Sequence, residues 1–261
     1  MEERERELEI DLEDPQAGAG RYFRQMDLVG MEGQAKLRQS TVLVAGVGGL
    51  GGTAALYLAA AGVGKLILVH EGVTTLPDLN RQVLMSTEGI GRVRVEQAEE
   101  SLSRLNPEVE IQVLDSRIEG ERVQALVRQA DLVIDARYDF PERYALNRMC
   151  LQEGKPMVEA AMCGYEISLT TILPGETPCL DCLYPVSPQG WVPLGFPVLG
   201  AVSGLAGCMA SLEAIKALLG KPGLVGKLLR FDALTFQSVE VDVEAVPRCE
   251  ACSGLSPLAA K

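Results

Sequence analysis

Two cysteine pairs and one glycine turn are the residues of this 261-residue chain best suited to chemistry. Cys179-Leu180-Asp181-Cys182 and Cys249-Glu250-Ala251-Cys252 are C-x-x-C pairs, each following a proline, Pro178 and Pro247. Four thiolates delivered as two knuckles suit a tetrahedral Zn²⁺. A redox-active C-x-x-C is usually single and opens a helix, so a structural zinc site is the expectation. The glycine turn is Gly46-Val47-Gly48-Gly49-Leu50-Gly51, a G-x-G-x-x-G pattern. In such a turn Gly46 permits the tight bend, Gly48 lets backbone N–H groups approach a phosphate, and Gly51 lets the helix pack on the strand. The phosphate then sits at the helix N-terminus, where N–H groups lack partners.

The turn works only between a strand and a helix, and the sequence supplies both. The apolar run Thr41 to Ala45 precedes it, and Leu50 to Ala61, rich in Ala and Leu, follows it. Lys65 to Val69 and Asp131 to Asp135 read as further buried strands, Val109 to Val113 alternates as a strand, and Pro156 to Ala161 reads as another. Helical patterns separate them at Val93 to Leu105, Arg122 to Gln129 and Pro141 to Glu153. This alternation predicts a doubly wound, mostly parallel α/β sheet of Rossmann type, with its ligand at the carboxyl ends of the strands. Beyond Ala161 the pattern changes. Tyr165 to Leu173 alternates as a strand, Leu199 to Leu219 reads as a long helix of small residues, and Leu228 to Phe231 with Phe236 to Val243 read as a hairpin. Zinc would tie this C-terminal segment to the crossover at the first knuckle.

The bulk properties exclude several classes. The net charge of −12 argues against a nucleic-acid partner. Residues 1 to 14 hold eight acids and two arginines, so half of that charge lies in the first 14 residues. Residues 1–20 are expected to be an acidic flexible tail, and 21–261 one domain. No uninterrupted apolar run reaches the roughly 18 residues of a membrane span. The acidic start is the opposite of a secretory leader, which makes the cytosol the expected compartment. The remaining cysteines, Cys150, Cys163 and Cys208, read as small buried apolar residues.

Several motifs occur in a fixed order: Arg21-Tyr22-x-Arg24-Gln25, the glycine turn, Leu79-Asn80-Arg81-Gln82, Gly89-x-Gly91, Leu105-Asn106-Pro107, and the two C-x-x-C pairs. In this combination, from about residue 21 to 253, the chain resembles the ThiF/MoeB/HesA family, bacterial relatives of ubiquitin-activating enzymes. The resemblance implies a homodimer that binds ATP with Mg²⁺ and adenylates the C-terminal Gly-Gly carboxylate of a small ubiquitin-like protein, often a sulfur carrier. It implies nucleotide contacts from Gly46, Gly48, Gly49, Leu50 and Gly51. It also implies phosphate contacts from Arg81 within the subunit and from Arg24 across the dimer, with Arg94 in place of a family lysine.

Three positions depart from that pattern. The acid that binds ribose at the end of the second strand is His70 here, with Glu71 beside it. The asparagine before the Arg-Gln pair is Asp78. The Asp-Asn pair that holds Mg²⁺ is Tyr138-Asp139, so either Asp139 takes the metal role or the ligand is missing. No cysteine occurs from Leu183 to Gly207, so no thioester step is expected. These departures keep a second reading open, a catalytically degraded relative acting as a binding or dimerisation partner. The glycine turn alone would also permit an NAD-dependent oxidoreductase, which leaves the knuckles and Leu79-Asn80-Arg81-Gln82 unexplained.

Overall fold

The computed structural model describes residues 20–186 and 195–255. The acidic segment, apart from Gly20, and part of the proline-rich connection after the first knuckle lie outside those residues. Eight strands form one sheet in the order β3-β2-β1-β4-β5-β6-β7-β8. The strands are β1 (Thr41–Ala45), β2 (Lys65–Val69), β3 (Glu110–Leu114), β4 (Leu132–Asp135), β5 (Met157–Cys163), β6 (Glu166–Ile172), β7 (Lys227–Asp232) and β8 (Gln237–Asp242). The first five in spatial order pair in parallel, and β5 to β8 pair antiparallel. The predicted hairpin therefore extends the same sheet.

Parallel strands are covered on both faces, and the period of two divides their residues between two cores. Val42, Val44, Leu66, Leu68, Leu132 and Ile134 face one core, together with helices α2 (Gly49–Ala61), α3 (Arg94–Leu105) and α7 (Gly200–Leu218). Leu43, Ala45, Ile67, Val69 and Val133 face the other, with α4 (Gly120–Gln129), α5 (Phe140–Glu153), the one-turn α6 (Leu180–Leu183) and the cysteine knuckles. The crossing of α2 and α7 is close, because a Cβ on Gly207 would lie 2.4 Å from the Leu50 carbonyl oxygen. By length and mean hydropathy, α7 is also the one described helix that could cross a membrane. It carries Glu213, which accepts hydrogen bonds from Thr171 Oγ1 and from the N–H groups of Gly223 and Leu224.

One helix was not expected from the sequence. Helix α1 (Met26–Gln39) is polar along most of its length and kinks at Gly30, where φ is +69°. Cys150 is buried as expected, whereas Cys163 is exposed at the end of β5 and Cys208 is half-buried on α7.

Candidate functional site

The glycine turn links β1 to α2 at the carboxyl edge of the parallel strands. Gly46 has φ of +103°, a region that favours glycine, and a Cβ there would stand 2.7 Å from the Ala136 carbonyl oxygen. A Cβ on Gly51 would lie 1.8 Å from the Gly46 carbonyl oxygen, so helix and strand touch backbone to backbone. Gly48 differs, since a Cβ on it would meet no atom within 4 Å. Its backbone borders open space at the start of α2. The first helical hydrogen bond runs from the Gly52 N–H to the Gly48 carbonyl, 2.8 Å, leaving the preceding N–H groups without helical partners. Gly49 is walled by Ser203 of α7 and by the Arg81 stem, and Leu50 packs into the core.

His70 follows the last residue of β2 and holds this turn. Its Nδ1 accepts the Val47 N–H at 2.9 Å. Burial, then the nearby guanidinium groups of Arg137 and Arg94, push its pKa down to about 3. The ring is therefore neutral, and the nitrogen that accepts is already committed to the loop. Glu71 is exposed, and its backbone carbonyl accepts from Arg94 Nη1 at 3.3 Å.

Asp78 is the centre of the arginine cluster. It belongs to a 3₁₀ turn, Leu76–Asn80, which Thr75 opens by a reciprocal capping box. One carboxylate oxygen accepts from Arg94 Nη2, Thr75 Oγ1 and the Thr75 N–H at 2.8, 2.8 and 2.9 Å. The other accepts from Gln82 Nε2 at 2.8 Å and Arg81 Nη2 at 3.2 Å. Burial alone would raise the Asp78 pKa, but the bonds from Arg94 and Thr75 outweigh it and hold the carboxyl below its ordinary value. Far from adding a loose negative charge, Asp78 gathers Arg81 and Arg94 at the glycine turn. Arg24 lies elsewhere, exposed on the 3₁₀ turn Gly20–Gln25, with no hydrogen bond or ion pair among the described residues.

The segment after β4 holds more charge than the sequence reading found. Asp135 ends β4, fully buried, and its Oδ1 accepts the Arg137 N–H at 3.1 Å. Its Oδ2 accepts from Arg143 Nε at 2.8 Å, and Arg143 also binds Glu159 of β5. Burial raises the Glu159 pKa to about 7, even against the pull of Arg143. Arg137 Nε pairs with Glu142, and its guanidinium stacks on the Tyr138 ring, 5.2 Å from the centroid. Arg117 pairs with Asp139 at 3.2 Å and Glu142 at 3.1 Å. Arg137, Arg143, Glu142 and Glu159 were missed. Arg137 lies one residue before Tyr138-Asp139, and a lone arginine there matches no motif, since its partners come from Asp135 and from Glu142 of α5.

These carboxylates do not fit Mg²⁺, which needs near-octahedral oxygen ligands and one or two carboxylates free to bind it. Asp78, Asp135, Asp139, Glu142 and Glu159 each answer an arginine. The cysteines do fit Zn²⁺. The Sγ atoms of Cys179, Cys182, Cys249 and Cys252 lie within 4.8 Å of one another. Their closest separations are 3.6, 3.8 and 4.0 Å. A tetrahedron with bonds near 2.3 Å spaces sulfurs by about 3.8 Å.

Comparison with known proteins agrees with this architecture. The model of the ThiF family matches residues 22–252. The HesA protein of Leptolyngbya boryana is 48% identical over 241 residues, covering 91% of this chain and 86% of that one. The sulfur carrier protein ThiS adenylyltransferase of Escherichia coli is 35% identical over 240 residues, covering 90% and 95%. The crystal structure of E. coli MccB with MccA-N7isoASN shares the fold, with a TM-score of 0.81 at 21% identity, covering 92% of this chain and 77% of that one. A family match over residues 22–252, and relatives 48% and 35% identical over about nine-tenths of the chain, lead to one assignment: this chain belongs to the ThiF family.

Proposed function

We propose that the chain is an ATP-dependent adenylyltransferase that activates the C-terminal carboxylate of a small ubiquitin-like protein of sulfur-carrier type. The observation that carries this reading is the convergence of Arg81 and Arg94 on Asp78 beside the open backbone at Gly48. Adenylation needs that arrangement. A carboxylate oxygen attacks the α-phosphorus, the bond to the bridging oxygen breaks, and pyrophosphate departs with its electron pair. Negative charge grows on phosphate oxygens, and the protein contributes mainly positioning and fixed positive charge. The α2 N-terminus supplies backbone donors, and the two guanidinium groups supply charge. Arg24, exposed and unpartnered among the described residues, fits a role across a homodimer. The four cysteines would hold a structural zinc, remote from any proton or phosphoryl transfer.

Exchange of labelled pyrophosphate into ATP tests this reading, using a ubiquitin-like protein ending in Gly-Gly from the same organism. Partner-dependent exchange is expected. No exchange with ATP and Mg²⁺ present refutes it. Tyr138 at the family metal position, and Asp139 held by Arg117, favour the second reading, a degraded relative that acts as a binding or dimerisation partner. Nucleotide binding without exchange would support that alternative.

A further inference from the structure

The poor fit to Mg²⁺ has a counterpart on the other side of the glycine turn. We propose that this chain binds the nucleotide polyphosphate without contributing a ligand to a divalent cation, and that the Arg137 guanidinium supplies the fixed positive charge in its stead. The inference rests on the nucleotide-binding part of the reading above.

Arg137 is built into place. The Asp135 carboxylate receives its backbone N–H and turns the chain at the end of β4. Its Cδ lies 3.3 Å from where a Cβ on Gly46 would stand, so the stem runs against the tight turn itself. Glu142 anchors its Nε, and the Tyr138 ring lies under the guanidinium plane. The two terminal nitrogens have no hydrogen-bond partner among the described residues. The side chain is buried, with 4% exposure, so an arginine fixed at Nε and unpaired at its terminal nitrogens keeps a desolvated fork of donors that matches phosphate oxygens. Its charge also reaches the imidazole of His70, which braces Val47 of the same turn.

The surroundings disfavour a second cation at this place. Tyr138 offers a phenol at the position where the family resemblance implies a carboxylate. Asp139 is paired with Arg117, and Glu142 is shared between Arg117 and Arg137. Asp135 and Glu159 are fully buried around Arg143. Glu71 is exposed, and its charge acts on Arg117. A hydrated divalent ion would have to displace an arginine from one of these carboxylates, and Mg²⁺ dehydrates reluctantly.

Equilibrium titration of the whole chain with ATP, once in excess Mg²⁺ and once in EDTA, tests the proposal. The two dissociation constants are expected to agree within about threefold, and Arg137→Gln to weaken both by roughly tenfold or more, the loss of one charge-assisted contact. Arg137→Lys, which keeps the charge, should recover part of that loss. Tyr138→Asp should introduce a Mg²⁺ dependence absent from the wild type. It should also add a protein-bound Mn²⁺ signal in electron paramagnetic resonance when ATP is present. Wild-type affinity that falls about tenfold in EDTA overturns the proposal and leaves the adenylation reading standing. So does unchanged affinity in Arg137→Gln. Should that variant not fold, the EDTA comparison and Arg137→Lys decide. Absence of nucleotide binding under both conditions refutes the nucleotide site itself, and this inference with it.

Discussion

Replacing Asp78 by alanine is the sharpest test of how the site is held together. The carboxylate receives five hydrogen bonds, two of them from guanidinium groups. A bond to a charged group is worth about 1.5–3 kcal/mol, and a lost helix cap about 1 kcal/mol. Arg81 and Arg94 keep some exposure, so solvent recovers part of the loss. We expect Asp78→Ala to destabilise the fold by roughly 3 kcal/mol, or about 6–12 °C in midpoint temperature for a domain of this size. The pH dependence has a fixed sign. The folded pKa of Asp78 lies below its ordinary value, so its contribution is present above about pH 4 and lost as pH falls through the folded pKa. Urea unfolding of wild type and variant between pH 7 and 3, with the cysteine site metal-loaded, reads both effects. A difference under about 0.5 kcal/mol at pH 7, or one that grows on acidification, would refute the claim that Asp78 organises the arginines.

Gly48→Ala should leave the midpoint temperature within about 2 °C, because its Cβ enters open space, yet weaken nucleotide binding about tenfold or more, whereas Gly51→Ala should destabilise the fold by several kcal/mol through backbone collision; calorimetry and ATP titration separate the two. His70 is the only histidine of the chain, so one imidazole ¹⁵N signal should stay that of a neutral ring from pH 8 to pH 5. As pH falls below about 6.5, the unfolded histidine binds a proton that the folded one does not, and stability should drop by up to about 1.4 kcal/mol per pH unit from this group. Elemental analysis should find about one zinc per chain, and chelation should loosen the C-terminal half in hydrogen exchange, since structural zinc contributes on the order of 10 kcal/mol in small domains; a metal-free chain of unchanged stability would remove the site.

The glycine turn and the knuckles were legible because each is a local pattern whose spacing fixes its geometry. The inner strands β1, β2 and β4 were legible because both of their faces are buried, which writes them as apolar runs, whereas the edge strand β3 is written as an alternation. Helix α1 was hidden for the opposite reason. Its packing comes from isolated contacts, such as Gly33 against Leu219, and it has no strong apolar stripe. The charge of Asp78 is visible in the sequence, but its consequence is set by four bonding partners: Thr75, Arg81 and Gln82 flank its own turn, and Arg94 opens helix α3. His70 was compared with a ribose-binding acid, while its partner is the N–H of Val47, a backbone group that no side-chain pattern announces. The Asp135–Arg143–Glu159 cluster joins β4, α5 and β5, and only the register of the sheet brings its members together.

The cysteine tetrad has a topological consequence. Cys179 and Cys249 are 70 residues apart, and a metal joining them would close the intervening chain into a ring. Removing that much freedom from the unfolded chain is worth about 4 kcal/mol by loop-closure reasoning of the kind applied to disulfides. The ring contains α7, whose Ser203 walls Gly49 and whose Gly207 admits the backbone of α2. Such a clasp would secure one wall of the glycine turn from the opposite face of the sheet, and metal loss is expected to loosen that wall and with it the nucleotide site proposed there.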